Sequence, residues 1–262
     1  MNEIQSVQLA LLKVCRDICS RYGITYFLFG DTLRGAVRKN AFLPESTEAA
    51  LLMPAADLKN FCAYFAREAP KGFFLSNMHT EKACYRMHTR IQKDGTTEMP
   101  RALKDMPLHF GIGVDIYPYY PVEVGKAAQI LTKVYLYIAE KLLCASRAAF
   151  LEAPSFLDRL VLKIPEEKRL AFARKLEKKL EKGNKKSMQV CMPYGGAEFF
   201  WREALLEEET FTLMLEGEAF RVPDKREVFL NMSGKAPEED VIRNAGKGYA
   251  SYKKPEKKKA KK

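Results

Sequence analysis

Hydrophobic positions along the chain follow two periods, and the switches between them mark the elements. Ile4, Val7, Leu11, Val14 and Ile18 recur every three or four residues, which predicts a core-facing helix ending near Gly23. Tyr26 to Phe29 reads as a strand, Gly30-Asp31 as a tight turn and Thr32 onward as a short helix; after a loop closed by Pro44, Ala49 to Met53 reads as a second strand. Pro54 and Asp57 open a helix with Leu58, Phe61, Cys62 and Phe65 on one face, and Pro70-Lys71-Gly72 ends it. Phe73 to Leu75 predicts a strand. Cys84 to Gln92 alternates strictly, with Tyr85, Met87, Thr89 and Ile91 on one side and Arg86, His88 and Arg90 on the other. Lys93-Asp94-Gly95-Thr96 then predicts a hairpin turn. Ile112, Val114 and Ile116 alternate with Gly113, Asp115 and Tyr117 in a further strand, which Pro118 and Pro121 should end.

The period returns to helical from Gly125 to Phe150, where Ile130, Val134, Tyr137, Ile138, Lys141 and Leu142 lie roughly on one side. Pro154 joins this helix to others that continue through Gly183. Tyr194-Gly195-Gly196 marks a turn, and Trp201, Phe211, Leu213 and Phe220 supply apolar mass to short strands or loops that fold back on the first part. The predicted class is α+β: a mixed sheet flanked by helices over residues 1–124, then a mainly helical region over 125–252 with C-terminal strands or loops. A lysine-rich stretch over 253–262 is expected to be disordered.

Charge changes the picture only once it is located. The net charge of +11 comes from residues 166–186, with nine Lys or Arg against four Glu, and residues 253–262, with seven Lys against one Glu. The rest of the chain is balanced as a group, and no aromatic residue interleaves with the lysines of 253–262, so a specific nucleic-acid site is not expected there. The 166–186 helix has Leu170, Phe172, Leu176 and Leu180 as a modest apolar side; a solvated face and weak contact with an anionic membrane surface are its two readings. The six cysteines show no paired spacing and the three histidines no metal-ligand spacing, which argues against a zinc site or a disulfide framework. No run of eighteen apolar residues occurs, and the N-terminus reads as an amphipathic helix. The expected location is cytoplasmic, with a peripheral place at the inner membrane surface as an extension.

Two features carry candidate chemistry. A strand, glycine turn and helix at Tyr26 to Arg38 aims backbone N–H groups at one point, an arrangement suited to phosphate. Asp115 is a charged residue inside an otherwise apolar strand, sharing a face with Gly113 and Tyr117.

The run Gly30-Asp31-Thr32-Leu33-Arg34-Gly35-Ala36-Val37-Arg38, then Phe42-Leu43-Pro44, Met53-Pro54 and Asp57, resembles the opening signature of the LicD family. Val114-Asp115-Ile116-Tyr117-Pro118 and Leu215-Glu216-Gly217 with Phe220 and Val222-Pro223 resemble its later segments. The resemblance implies a nucleotidyltransferase-like fold. It also implies transfer of phosphocholine or a related phospho-group from a nucleotide-linked phospho-alcohol donor to a cell-surface glycan such as lipopolysaccharide. Carried over position by position, it places the catalytic carboxylates on Glu48 and Asp115 and the phosphorylated substrate against Gly30, Asp31, Thr32, Arg38 and Arg90. It implies Mg²⁺, held by Glu48 and Asp115 with Asp31 as the candidate third ligand.

The departures are chemical. The second carboxylate of the family's paired motif falls on Ala50, which offers no oxygen, and a position that is usually small is Asp31. Asp31 could repel a phosphate, cap the helix itself or stand in for the missing ligand. Two function classes follow: a transferase with lost or weakened metal-dependent activity, or a non-catalytic relative that keeps the fold to bind a nucleotide, a sugar or a partner.

Overall fold

The computed structural model describes residues 1–151, 153–182, 189–194, 197–202, 211–230 and 240–253. Its centre is a mixed sheet in the order β1 (Phe27–Phe29), β2 (Ala50–Pro54), β6 (Gly113–Val122), β4 (Thr89–Lys93), β3 (Phe73–Ser76). Only β2 and β6 run parallel; the remaining pairs are antiparallel. The far end of β6 carries β7 (Gln189–Tyr194), which carries β8 (Ala197–Arg202). Helices α1 (Glu3–Tyr22) and α3 (Ala55–Glu68) pack on the sheet, and α4 (Lys126–Ala148), α5 (Phe156–Leu162) and α6 (Glu166–Glu181) form the helical part. The expected mixed sheet flanked by helices is present.

Helix α1 starts in a capping box, with Asn2 accepting from the Gln5 N–H and Gln5 accepting from the Asn2 N–H, and ends at Gly23 in the left-handed region. Its buried stripe runs through Gln5, Gln8, Leu11, Cys15 and Ile18, whereas Ile4, Val7 and Val14 are only partly covered. The stripe is rotated from the apolar expectation because the two glutamine amides are bonded inside. Gln5 Nε2 donates to the carbonyls of Leu43 (3.0 Å) and Ser46 (3.2 Å), and Gln8 Nε2 to that of Thr47 (2.7 Å). Together they hold the loop that ends at Glu48.

The glycine turn is tighter than the sequence predicts: α2 (Gly30–Lys39) begins at Gly30 itself, directly after β1. Gly30 has φ +57°, a conformation that costs little only without a Cβ. Gly35 serves close approach instead, since a Cβ there would lie 2.4 Å from the Ala41 carbonyl oxygen. Gly35→Ala should therefore cost roughly 1–3 kcal/mol through forced separation of α2 from the following loop. A melting temperature equal to that of the unmodified protein would show that the loop simply moves aside.

Three strand expectations need correction. Cys84 to Met87 is not in the sheet: β4 begins at Thr89, because Tyr85 and Met87 pack instead into a second core with Leu142, Leu143 and Leu176 of α4 and α6. The turn at Asp94-Gly95 does reverse the chain, but β5 (Thr97–Pro100) pairs with β11 (Val241–Asn244) and not with β4. Strand β6 continues through Pro118 and Pro121 to Val122. Pro118 lies between Ile116, where β4 pairing ends, and Tyr120, where β7 pairing begins, so one edge of the strand has no partner there to receive an N–H.

The C-terminal hairpin of β9 (Phe211–Leu215) and β10 (Glu218–Val222) joins the main core through Leu215, Phe220 and Val222. Its turn residue Glu216 accepts the Phe42 N–H (3.0 Å) and donates its own N–H to the Asn40 carbonyl (2.9 Å). The Leu215-Glu216-Gly217 segment is thus a clasp on the α2–β2 loop. In α6, Leu170, Leu176 and Leu180 are buried while Phe172 is exposed, so most of the apolar side offered for a membrane surface faces the protein. No helix among the described residues is long and apolar enough to cross a membrane. Lys253 is not part of a loose tail: its Nζ donates to the carbonyls of Met106 (3.0 Å) and Leu108 (3.2 Å). Residues 254–262, Gly183 and the turn at Gly195-Gly196 lie outside the described residues.

Candidate functional site

The registers of the four strand pairs place Phe29, Ala50, Asp115, Arg90 and Ser76 in one row across the sheet. Cross-strand partners share a face, so Arg90 and Asp115 project together, and Ala50 beside Asp115 leaves an empty position in the row. Arg90 Nη1 donates to Asp115 Oδ2 at 2.7 Å, and Arg90 Nη2 to Glu98. Glu98 in turn accepts from Arg243 Nε at 3.0 Å across the β5–β11 pair. Gly113 makes room for this: a Cβ there would meet Arg90 Nε at 2.6 Å.

His88 completes the surroundings of Asp115, with Nε2 3.1 Å from Oδ1. The distance suits an ion pair when the ring is protonated, and Oδ1 has no other partner among the described residues. Asp115 is 7 % exposed. Burial opposes its charge, but Arg90 and then His88 overcome that and hold its carboxyl well below the usual carboxylate range. Arg90 is likewise held charged against burial by Asp115 and Glu98.

Glu48 is partly buried at the end of the loop that Gln5 and Gln8 hold, two residues before Ala50. Burial first, then the Asp115 and Asp31 carboxylates, push it up to about 7; Arg90 and the Tyr117 hydroxyl, 3.4 Å from its Oε1, pull the other way. Asp115 and Asp31 are thus both within electrostatic reach of Glu48. A carboxyl at about 7 is half protonated at neutral pH and suited to accept a proton.

The phosphate-facing candidates divide by exposure. Thr32 is fully buried, and its Oγ1 accepts the Ala50 N–H at 2.9 Å, tying the start of α2 to β2. Asp31 pairs with Arg34 one turn along, at 2.5 Å, so its charge at the head of α2 is already opposed. Arg38 is exposed in the last turn, on the same helix face as Asp31 and Arg34. Gly30 provides the left-handed entry into the helix.

Residues 23–133 match the family model described as LicD/FKTN/FKRP, nucleotidyltransferase domain. This segment is a LicD-family domain. The match takes in the whole Phe29-to-Ser76 row and stops inside α4. No curated protein matches the chain.

The LicD resemblance implies Mg²⁺, and the donor set does not fit a cage for it. Asp115 already faces two basic side chains, Glu48 carries its charge only in part at neutral pH, and Ala50 has no oxygen. Among the described residues no three His, Cys, Asp or Glu side chains stand together as a metal site. Tyr117 shares the face of Asp115 as the sequence predicts, whereas His88, Glu98 and Arg34 also surround these carboxylates and were not named as site residues from the sequence. For His88 a signal existed, in the alternation Arg86, His88, Arg90 opposite a lone strand aspartate.

Proposed function

We propose that this LicD-type domain binds a phosphorylated, nucleotide-type ligand at the head of α2 and that its metal-dependent transfer is lost or strongly weakened. The observation that carries this is the state of Asp115, paired to Arg90 at 2.7 Å and faced by His88 at 3.1 Å, with Ala50 next to it in the row. Neutralising the transferred phosphoryl group takes carboxylates free to hold a cation, and here the central carboxylate is engaged by the Arg90 guanidinium. Phosphate binding needs less: free N–H groups at a helix N-terminus and cationic side chains, which the start of α2, Arg34 and Arg38 supply.

A second reading has its own support. Glu48, pushed up to about 7 inside the cleft, is suited to take a proton from an acceptor hydroxyl, which favours retained transfer of a phospho-group from a nucleotide donor to a glycan. Calorimetry with a cytidine nucleotide and Mg²⁺ separates the two. Under the first reading the unmodified protein binds the nucleotide with no dependence on Mg²⁺. Ala50→Asp combined with Asp31→Gly should then restore Mg²⁺ dependence, by returning an oxygen beside Asp115 and releasing Arg34. Tight Mg²⁺-dependent binding by the unmodified protein, abolished by Asp31→Ala, would make Asp31 a relocated ligand and decide for the second reading.

A further inference from the structure

The sheet has a second cavity, of about 450 Å³, on the face away from Asp115. Strand alternation decides the side: Thr89, Pro118 and Tyr120 line it, each one residue out of phase with Arg90, Tyr117 and Tyr119. Its apolar wall comes from Leu58 and Cys62 of α3 and Leu75 of β3, and α6 closes it with Glu177 and Glu181.

Two groups in this cavity have no protein partner among the described residues, one buried and one half-exposed. Tyr120 is 1 % exposed and its hydroxyl is buried with no hydrogen-bond partner. Leaving such a group unpaired costs about 1–3 kcal/mol. Glu181 has no hydrogen bond or ion pair within reach among the described residues, whereas Glu177 is paired to His79 Nε2 at 2.7 Å. The two carboxylates stand one turn apart at the C-terminal end of α6, where like charges repel and the free carbonyls of the helix add negative potential. Burial and then Glu177 raise the Glu181 carboxyl, and burial followed by both carboxylates raises the Tyr120 phenol. Lys59, His79 and Lys178, of the same lining, pull the Glu181 carboxyl the other way without overcoming burial and Glu177.

We propose that this cavity is a binding site for a small amine, with a protonated ammonium group between the Tyr120 hydroxyl and Glu181 and a compact apolar body against Leu58, Cys62 and Leu75. An ammonium donates to the Tyr120 hydroxyl oxygen and to the Glu181 carboxylate and brings the positive charge that the carboxylate favours; a neutral alcohol can make the same two contacts, accepting from Tyr120 and donating to Glu181, but without the charge, and an anion would be repelled by the carboxylates. The site lies across the sheet from the phospho-group cleft and does not depend on what that cleft does.

The test is calorimetric titration of the full chain with benzylamine and, as the neutral isostere, benzyl alcohol. Benzylamine should bind at least about tenfold more tightly than benzyl alcohol, and Glu181→Gln should remove about tenfold of its affinity while changing that of benzyl alcohol far less. Tyr120→Phe, which deletes only the unpaired hydroxyl and preserves packing, should weaken benzylamine without lowering the melting temperature. Equal affinity for the two probes, no saturable binding of benzylamine, or indifference to both substitutions would overturn the proposal. So would loss of benzylamine binding in Asp115→Asn, which would place the amine on the other face.

Discussion

Arg90→Met should lower the unfolding free energy by about 3–5 kcal/mol, because it strands two buried carboxylates rather than removing one surface charge. Arg90 is the shared partner of Asp115 and Glu98, whose side chains are 10 % and 11 % exposed. Glu98 keeps Arg243, but Asp115 keeps only His88. Adding Asp115→Asn to Arg90→Met should recover a large part of the loss, since a neutral amide is far cheaper to bury than an unpaired carboxylate. The pH dependence gives an independent check. Asp115 has a folded value depressed below its unfolded one, so its contribution is present above about pH 4 and is lost as pH falls below that. In Arg90→Met this acid-sensitive component should shrink. Urea unfolding at neutral and acid pH measures both effects; a loss below about 1 kcal/mol would show that water screens the cluster as it does a surface pair.

Which parts of this arrangement were legible in the sequence follows from what sets each one. The strand with Asp115 was visible because alternation is a local property, and the Gly30 turn because a left-handed residue before a helix needs glycine. The expected partners β4 and β6 were found, yet β6 ran past two prolines because strand neighbours change along it, and that is a tertiary fact. The same holds for β5, whose partner β11 lies far away in sequence. Glu48, Asp115, Asp31 and Arg90 were named from the sequence, and the last three all lie within electrostatic reach of Glu48. What could not be read was who neutralises whom. The ion pair of Asp31 with Arg34 is short-range in sequence and could have been weighed as an i,i+3 pair. The chain from Asp115 through Arg90 and Glu98 to Arg243 spans two sheets and exists only once β5 and β11 have met.

Glu48→Gln should do the opposite of the arginine substitution and stabilise the protein. Its carboxyl rises from an ordinary value of 4.5 to about 7, chiefly through burial and then through Asp115 and Asp31. Between those two values the folded chain holds more protons than the unfolded one, so stability falls as pH rises through this window, and the cost is complete above it. The gain on substitution should accordingly be roughly 1–3 kcal/mol at pH 8, discounted from the full shift because Glu48 retains some exposure, and near zero at pH 4. Glutamine keeps the shape and an acceptor for the Tyr117 hydroxyl, so packing changes little. Unfolding free energies measured from pH 4 to pH 8 should show a declining limb in the unmodified protein that flattens in the variant. Parallel profiles would mean that Glu48 titrates like a solvated carboxylate, which would also remove the physical basis for proton acceptance at this position. A stabilised variant would instead mark Glu48 as a residue whose charge the fold tolerates at a cost, the usual sign of a group kept for what it does to a ligand.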